Sequence, residues 1–169
     1  GTNPSGKSPS ISDAVSITET SLVTAQNFRD GNPVSGTVKA LFTRVTPSKA
    51  VEIDEAGKGL RYKYFEGSWD QLPEFDRLEE LGSGVVSNID ISKRPQDNHF
   101  GFVFEGHILI HEQGVYTFYT DSDDGSQLFI GGDLVVDNDG LHSMTEASGS
   151  VALSAGYHPI RVTYFEKNG

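Results

Sequence analysis

An antiparallel, all-β sandwich is the fold class this sequence predicts, and three observations predict it. Apolar residues alternate with polar ones at the two-residue period of a strand: Phe100, Phe102 and Phe104 share one face, as do Ile160, Val162 and Tyr164. Nineteen glycines are spaced between such runs, where a β-rich chain needs turns. No convincing amphipathic helix is present. The best candidate, Leu72 to Leu81, with Phe75, Leu78 and Leu81 as its apolar positions, has room for one or two turns.

Taken in order, residues 1–46 form a first β unit. A polar, turn-rich start leads to strands at Val15–Thr18, Ser21–Ala25 and Val38–Phe42, with the turn Arg29-Asp30-Gly31-Asn32-Pro33 between the last two reading as a hairpin. Three strands are too few to close a sandwich, so the unit reads as incomplete. Residues 47–58 read as a linker. From Leu60 aromatic density rises (Tyr62, Tyr64, Phe65, Trp69), and strands follow at Val85–Val86, Phe100–Phe104, His107–Ile110, Val115–Thr120, Leu128–Ile130, Leu134–Val136, Ser150–Leu153 and Ile160–Phe165. Asn168-Gly169 is a strong hairpin signal with no strand after it, which leaves residues 59–169 as a sandwich expected to lack its last strand. Gly1 reads as a processing scar.

The formal charge of −11 argues against nucleic acid and anionic membrane surfaces as partners, since phosphate binding relies on clustered Lys and Arg. Absence of cysteine removes disulfides, thiolate metal sites and thiol nucleophiles. It does not fix the compartment. No apolar stretch approaches the length of a membrane span.

Residues 116–142, YTFYTDSDDGSQLFIGGDLVVDNDGLH, carry the chemistry. Tyr116, Phe118 and Thr120 lie on one face of a strand that ends in Asp121, Asp123 and Asp124. A second acidic tip, Asp137-Asn138-Asp139-Gly140, ends a neighbouring strand. Clustered oxygen donors suit a hard cation such as calcium, and a cation with open positions can hold a polyol. The competing reading is that these Asp residues cap turns, with Gly140 at positive φ. His142 is placed to hydrogen-bond a ligand. Trp69 offers a platform for a sugar ring, against packing in the core, which Tyr64 and Phe65 are expected to do. His99, His107 and His111 are scattered, and His158, before Pro159 in a turn, reads as structural. Adjacent carboxylates on one turn cannot flank a glycosidic bond, and Glu105, Glu112 and Glu146 are paired by nothing in the sequence, so no catalytic residue is expected.

The segments GLRYKYFEGSWDQLPEF, DNHFGFVFEGHILIHEQGVYTFYTDSDDGSQLFIGGDLVVDNDGLHSM and GSVALSAGYHPIRVTYFEKNG closely resemble the PA14 (protective-antigen-type) domain, a jelly-roll-like β-sandwich. The resemblance spans Gly59 to Gly169. It implies carbohydrate binding, with an Asp-Asp pair joined by a cis peptide, Asp123-Asp124 here, helping to hold calcium against sugar hydroxyls. Asp137, Asn138 and Asp139 do not align clearly with the second calcium loop of adhesin-type members. The first unit, through GTNPS, Val15 to Phe28 and FRDGNPVSGTVKALF, resembles the second half of an Ig/fibronectin-like repeat found at the C-terminal side of chitobiase and β-N-acetylhexosaminidase enzymes.

Together these resemblances imply a non-catalytic, calcium-dependent carbohydrate-binding module. Its expected context is a secreted, periplasmic or cell-surface glycoside hydrolase of bacterial type, a β-hexosaminidase-like parent whose catalytic domain is its partner. The expected sugar contacts are Asp123, Asp124, Asn138, His142 and Trp69. The expected metal ligands are Asp121, Asp123, Asp124, Asp137, Asn138 and Asp139. The alternative is a structural spacer that packs on a catalytic domain and has no ligand of its own.

Overall fold

A computed structural model describes residues 2–54 and 57–168. The chain divides into two compact units, Gly1–Thr46 and Pro47–Gly169.

In the first unit, β1 (Ser21–Ala25) pairs antiparallel with β4 (Val38–Phe42), and β2 (Phe28–Arg29) pairs with β3 (Asn32–Pro33). The β2–β3 turn holds Asp30 at φ 50° and Gly31 at φ 78°, the paired left-handed conformation for which Asp-Gly is preferred. The strand expected at Val15–Thr18 does not form. The Arg44 guanidinium donates to the Thr18 carbonyl and the Arg44 amide donates to the Thr20 hydroxyl, so this stretch is tied by single bonds to the residues following β4 instead of joining a ladder. None of the described residues in this unit is buried.

The second unit contains β5 (Leu60–Glu66), β6 (Gly82–Val86), β7 (Phe100–Ile110), β8 (Gly114–Ser122), β9 (Ser126–Ile130), β10 (Asp133–Asn138), β11 (Thr145–Leu153) and β12 (Gly156–Glu166). Six strands form one antiparallel sheet in the order β10-β9-β12-β7-β5-β6, and β11 pairs with β8 in a smaller one. The inward rows of the large sheet supply Phe100, Phe102, Phe104, Leu128, Ile130, Val136, Val162 and Tyr164 to one core. Tyr116 and Phe118 of β8 pack on that core from the opposite sheet. This is the sandwich that strand parity predicts.

Two strands expected near Phe100 and His107 are one continuous strand, because Gly106 lets Leu60 pack where a side chain would stand. Pro159 lies inside β12 and not in a turn. Its carbonyl accepts from Gly131 of the β9–β10 hairpin, and the ladder to β9 begins only at Ile160, so the missing N–H falls at the end of that ladder and not within it. His158 is nonetheless buried, with Nε2 2.9 Å from the Ser154 carbonyl. The Gly131-Gly132 turn has both residues at positive φ, which sets the β9–β10 register.

The helix expected between Leu72 and Leu81 is a single 3-10 turn at Phe75–Arg77. Only Phe75 is anchored: its ring sits over Gly101 on the outer face of the large sheet, while Leu78 and Leu81 stay exposed. Phe75 joins Phe65 and Val103 in a second, smaller core with Trp69 and Leu72 at its margin. Part of the stretch read as linker belongs to this unit. Ser48 bridges to Leu153 and Val51 to Tyr157, and Ala50 donates its amide to the Ser154 hydroxyl. The turn expected at Asn168-Gly169 includes Gly169, which is outside the described residues, as is Gly1.

Candidate functional site

Strand β8 leaves the small sheet at Ser122 and β9 enters the large one at Ser126, so Asp123-Asp124-Gly125 is a crossover between the two sheets. The Ser122 and Ser126 hydroxyls lie 2.7 Å apart across the base of this loop. The Asn138 side-chain amide donates to the Ser122 hydroxyl at 3.2 Å and to the Thr145 carbonyl at 2.8 Å. The loop presses against β12: a Cβ on Gly125 would come 2.5 Å from the Phe165 ring and 2.9 Å from the Gly140 amide nitrogen. Only glycine fits there.

The Asp123-Asp124 peptide is cis. Asp124 is buried, and its carboxylate accepts the His142 amide at 3.2 Å and the Lys167 amide at 2.9 Å. Asp123 is partly exposed, and its carbonyl accepts the Tyr164 hydroxyl. Glu166, two residues along β12 on the same face as Tyr164, completes the group: carboxylate oxygens of Asp123, Asp124 and Glu166 lie within 4.8 Å of one another.

Glu166 is buried, and the Tyr164 hydroxyl is 3.0 Å from its Oε2, but among the described residues its Oε1 has no hydrogen-bond partner. One phenolic proton therefore faces two acceptors. Burial, followed by the charges of Asp124 and Asp123, pushes the Glu166 carboxyl above its usual range, with Tyr164 and Arg94 opposing. Burial and the Glu166 carboxylate likewise push the Tyr164 hydroxyl up, so it keeps its proton. Three converging acids with one orphaned oxygen are short of positive charge. Oxygens bound to a single calcium at about 2.3–2.6 Å lie within about 5 Å of each other, and the spacing here meets that limit. The donor set is hard oxygen, which suits calcium and not a thiophilic metal.

The other expected site residues are placed as follows. Asn138 is buried and bonded as described, as a brace of the crossover. Asp139 accepts the Leu72 amide at 2.7 Å and the Gly140 amide at 2.8 Å, so it ties the 72–77 segment to the loop, and Gly140 has the positive φ expected of it. Asp137 points from the outer face of β10 and accepts the Gln127 side-chain amide at 2.9 Å. Asp121 is exposed on β8 opposite Glu146. Neither Asp137 nor Asp121 joins the three-carboxylate group.

His142 is half-buried, with Nε2 3.0 Å from the Asn138 carbonyl and Nδ1 3.1 Å from the Ser143 carbonyl. Both ring nitrogens face acceptors, which favours the doubly protonated ring and raises its pKa; the Asn138 carbonyl is the largest cause. Trp69 packs edge-on to Phe75 at 5.8 Å over Gly67, at the margin of the second core, and is not one of the three converging residues. Sequence reasoning missed Glu166 as a member of this group. Its signal was the YFE segment at the end of β12, 42 positions after Asp124, where only the pairing of strands brings the two together.

A two-layer antiparallel sandwich thus carries a convergent acidic group at the crossover between its sheets. The family model for the PA14 domain matches residues 57–169, more than half the chain, and the chain belongs to that family. The domain is itself non-catalytic and is often a carbohydrate-binding or accessory part of a larger protein. Among solved structures, the PA14 domain of the MpAFP antifreeze protein is 20% identical with a TM-score of 0.55, covering 70% of this chain and 82% of that one. An anti-sigma factor domain-containing protein is 26% identical at TM-score 0.55, over 66% of this chain and 39% of that one. A GH31 alpha-xylosidase from Xanthomonas citri is 16% identical at TM-score 0.51, over 65% of this chain and 12% of that one. No curated protein matches the chain. Among the described residues, no helix is long and apolar enough to cross a membrane.

Proposed function

We propose that residues 47–169 form a calcium-dependent carbohydrate-binding module. The observation that carries this reading is the meeting of Asp123, Asp124 and the buried Glu166, whose Oε1 has no partner among the described residues. Calcium held there would neutralise three acids at once and would supply open coordination positions for vicinal sugar hydroxyls. The chain's own residues do the positioning. The His142 and Lys167 amides fix the Asp124 carboxylate, and Tyr164 holds the Asp123 carbonyl. Asn138 braces both ends of the crossover, and its carbonyl orients the His142 ring.

In this reading the module belongs to an exported glycoside hydrolase and keeps the catalytic domain near its glycan. A β-hexosaminidase-like parent is supported by the likeness of residues 1–46 to the chitobiase-type repeat. Calcium titration by calorimetry, followed by a glycan array with and without calcium, tests the proposal. Calcium-dependent hits that disappear in the Asp123→Ala, Asp124→Ala double variant support it, provided that variant keeps its melting transition. Silence in both experiments favours a spacer that packs on a catalytic domain without a ligand.

A further inference from the structure

The outer face of the six-stranded sheet carries a groove of about 1120 Å³ that the carboxylate site does not use. One row of side chains crosses its floor in register: Arg61 on β5, Glu105 on β7, Arg161 on β12 and Phe129 on β9. The next row includes Thr163 on β12 beside Gln127 on β9. The 72–77 segment, pinned by Phe75 over Gly101, forms one wall, and from it Asp76 reaches Arg161 at 3.0 Å. Arg161 also pairs with Glu105 at 3.2 Å.

Thr163 borders the groove and is 5% exposed, and among the described residues its hydroxyl has no hydrogen-bond partner. A buried hydroxyl without a partner carries a desolvation cost, which a ligand hydroxyl reaching it from the groove would offset. The floor sets planar, hydrogen-bonding guanidinium and carboxylate groups in a row that ends in an aromatic ring, each one strand spacing, about 4.8 Å, from the next. Its charges offset one another, Arg61 and Arg161 against Glu105 and Asp76, so no strongly charged ligand is selected. Apolar ring faces with hydroxyls around their edges fit such a floor: rings stack on Phe129, and hydroxyls bond to Arg161, Glu105, Gln127 and Thr163.

We propose that this groove is a second, metal-independent binding site for a neutral, extended oligosaccharide. The inference rests on the reading of the domain as carbohydrate-binding, but not on calcium, because Thr163 and Arg161 lie on the face of β12 opposite Tyr164 and Glu166. NMR titration of the full chain in EDTA with cellohexaose, chitohexaose, xylohexaose and laminarihexaose tests it. At least one glycan is expected to shift the amide signals of Arg161, Thr163, Gln127 and Phe129 at millimolar concentration. Phe129→Ala should weaken that binding about tenfold, and Asp124→Asn should leave it unchanged.

Thr163→Val should weaken it severalfold while raising the thermal midpoint, since it removes an unpaired buried hydroxyl; a purely structural threonine would show no change in binding. No shift with any of the four glycans overturns the proposal, as does a groove response to an unstructured peptide alone. Calcium-dependent binding with a silent groove would overturn this inference and leave the carboxylate site standing. Groove binding in EDTA without any calcium heat would do the reverse.

Discussion

Glu166 sits in a buried position with one oxygen unbonded and two aspartates close by, and this shapes how the domain should respond to pH. Its folded-state pKa is raised, so the folded protein holds the proton more tightly than the unfolded chain does. Without metal, stability is expected to fall as pH rises from the ordinary glutamate value of about 4.3 through that raised value. Calcium should remove the fall, because a bound cation favours the ionised acid. Glu166→Gln should flatten this part of the slope in EDTA and cost at least about tenfold in calcium affinity, as the metal loses one of its charged ligands. Urea melts at a series of pH values, with and without calcium, check both.

His142 adds a second window of the same sign. Its pKa is raised chiefly by the Asn138 carbonyl, so its contribution is complete below about 6.5 and is lost as pH rises through the folded value. In His142→Gln that second decline should vanish. Asp123 and Asp124 were legible as a pair because they are adjacent in sequence. Glu166 was not, since strand pairing alone brings it to them, and the packing of Trp69 depended on a segment whose path periodicity does not set.

At the scale of elements, β8, β9 and β12 make the site by meeting at one crossover, and glycine at 125 lets them close. Gly125→Ala places a methyl against Phe165 and the Gly140 amide, and overpacking of this kind costs about 1–3 kcal/mol. The variant should melt earlier and bind calcium more weakly, since the strain is relieved by moving the Asp123-Asp124 loop. A melting temperature and calcium affinity equal to those of the parent protein would show that the loop is less closely docked than drawn. The strands were readable from parity: Phe100, Phe102 and Phe104 are buried together, as expected. What parity could not show was local close approach, and three features turned on it: the fusion of two strands through Gly106, Pro159 within β12, and the shrinking of the Leu72–Leu81 helix to one turn.

Across the whole molecule, both apolar cores lie within residues 60–165, while no described residue of the first unit is buried. Removing residues 1–46 should therefore leave the main melting transition and calcium binding nearly unchanged, as a truncated chain in calorimetry would show. The linker-like shift in composition that begins near Thr46 was visible in the sequence. The attachment of Ser48, Ala50 and Val51 to the second unit was not, because single bridges leave no periodic trace.

The central claim is that Asp123, Asp124 and Glu166 hold a calcium ion that recruits sugar. Isothermal titration of calcium into the metal-free chain at neutral pH tests it most directly. The account predicts one site with a dissociation constant of about 10⁻⁴–10⁻³ M or tighter, lost in the Asp123→Ala, Asp124→Ala double variant while the fold is retained. No heat at millimolar calcium, or the same heat in that variant, would contradict it.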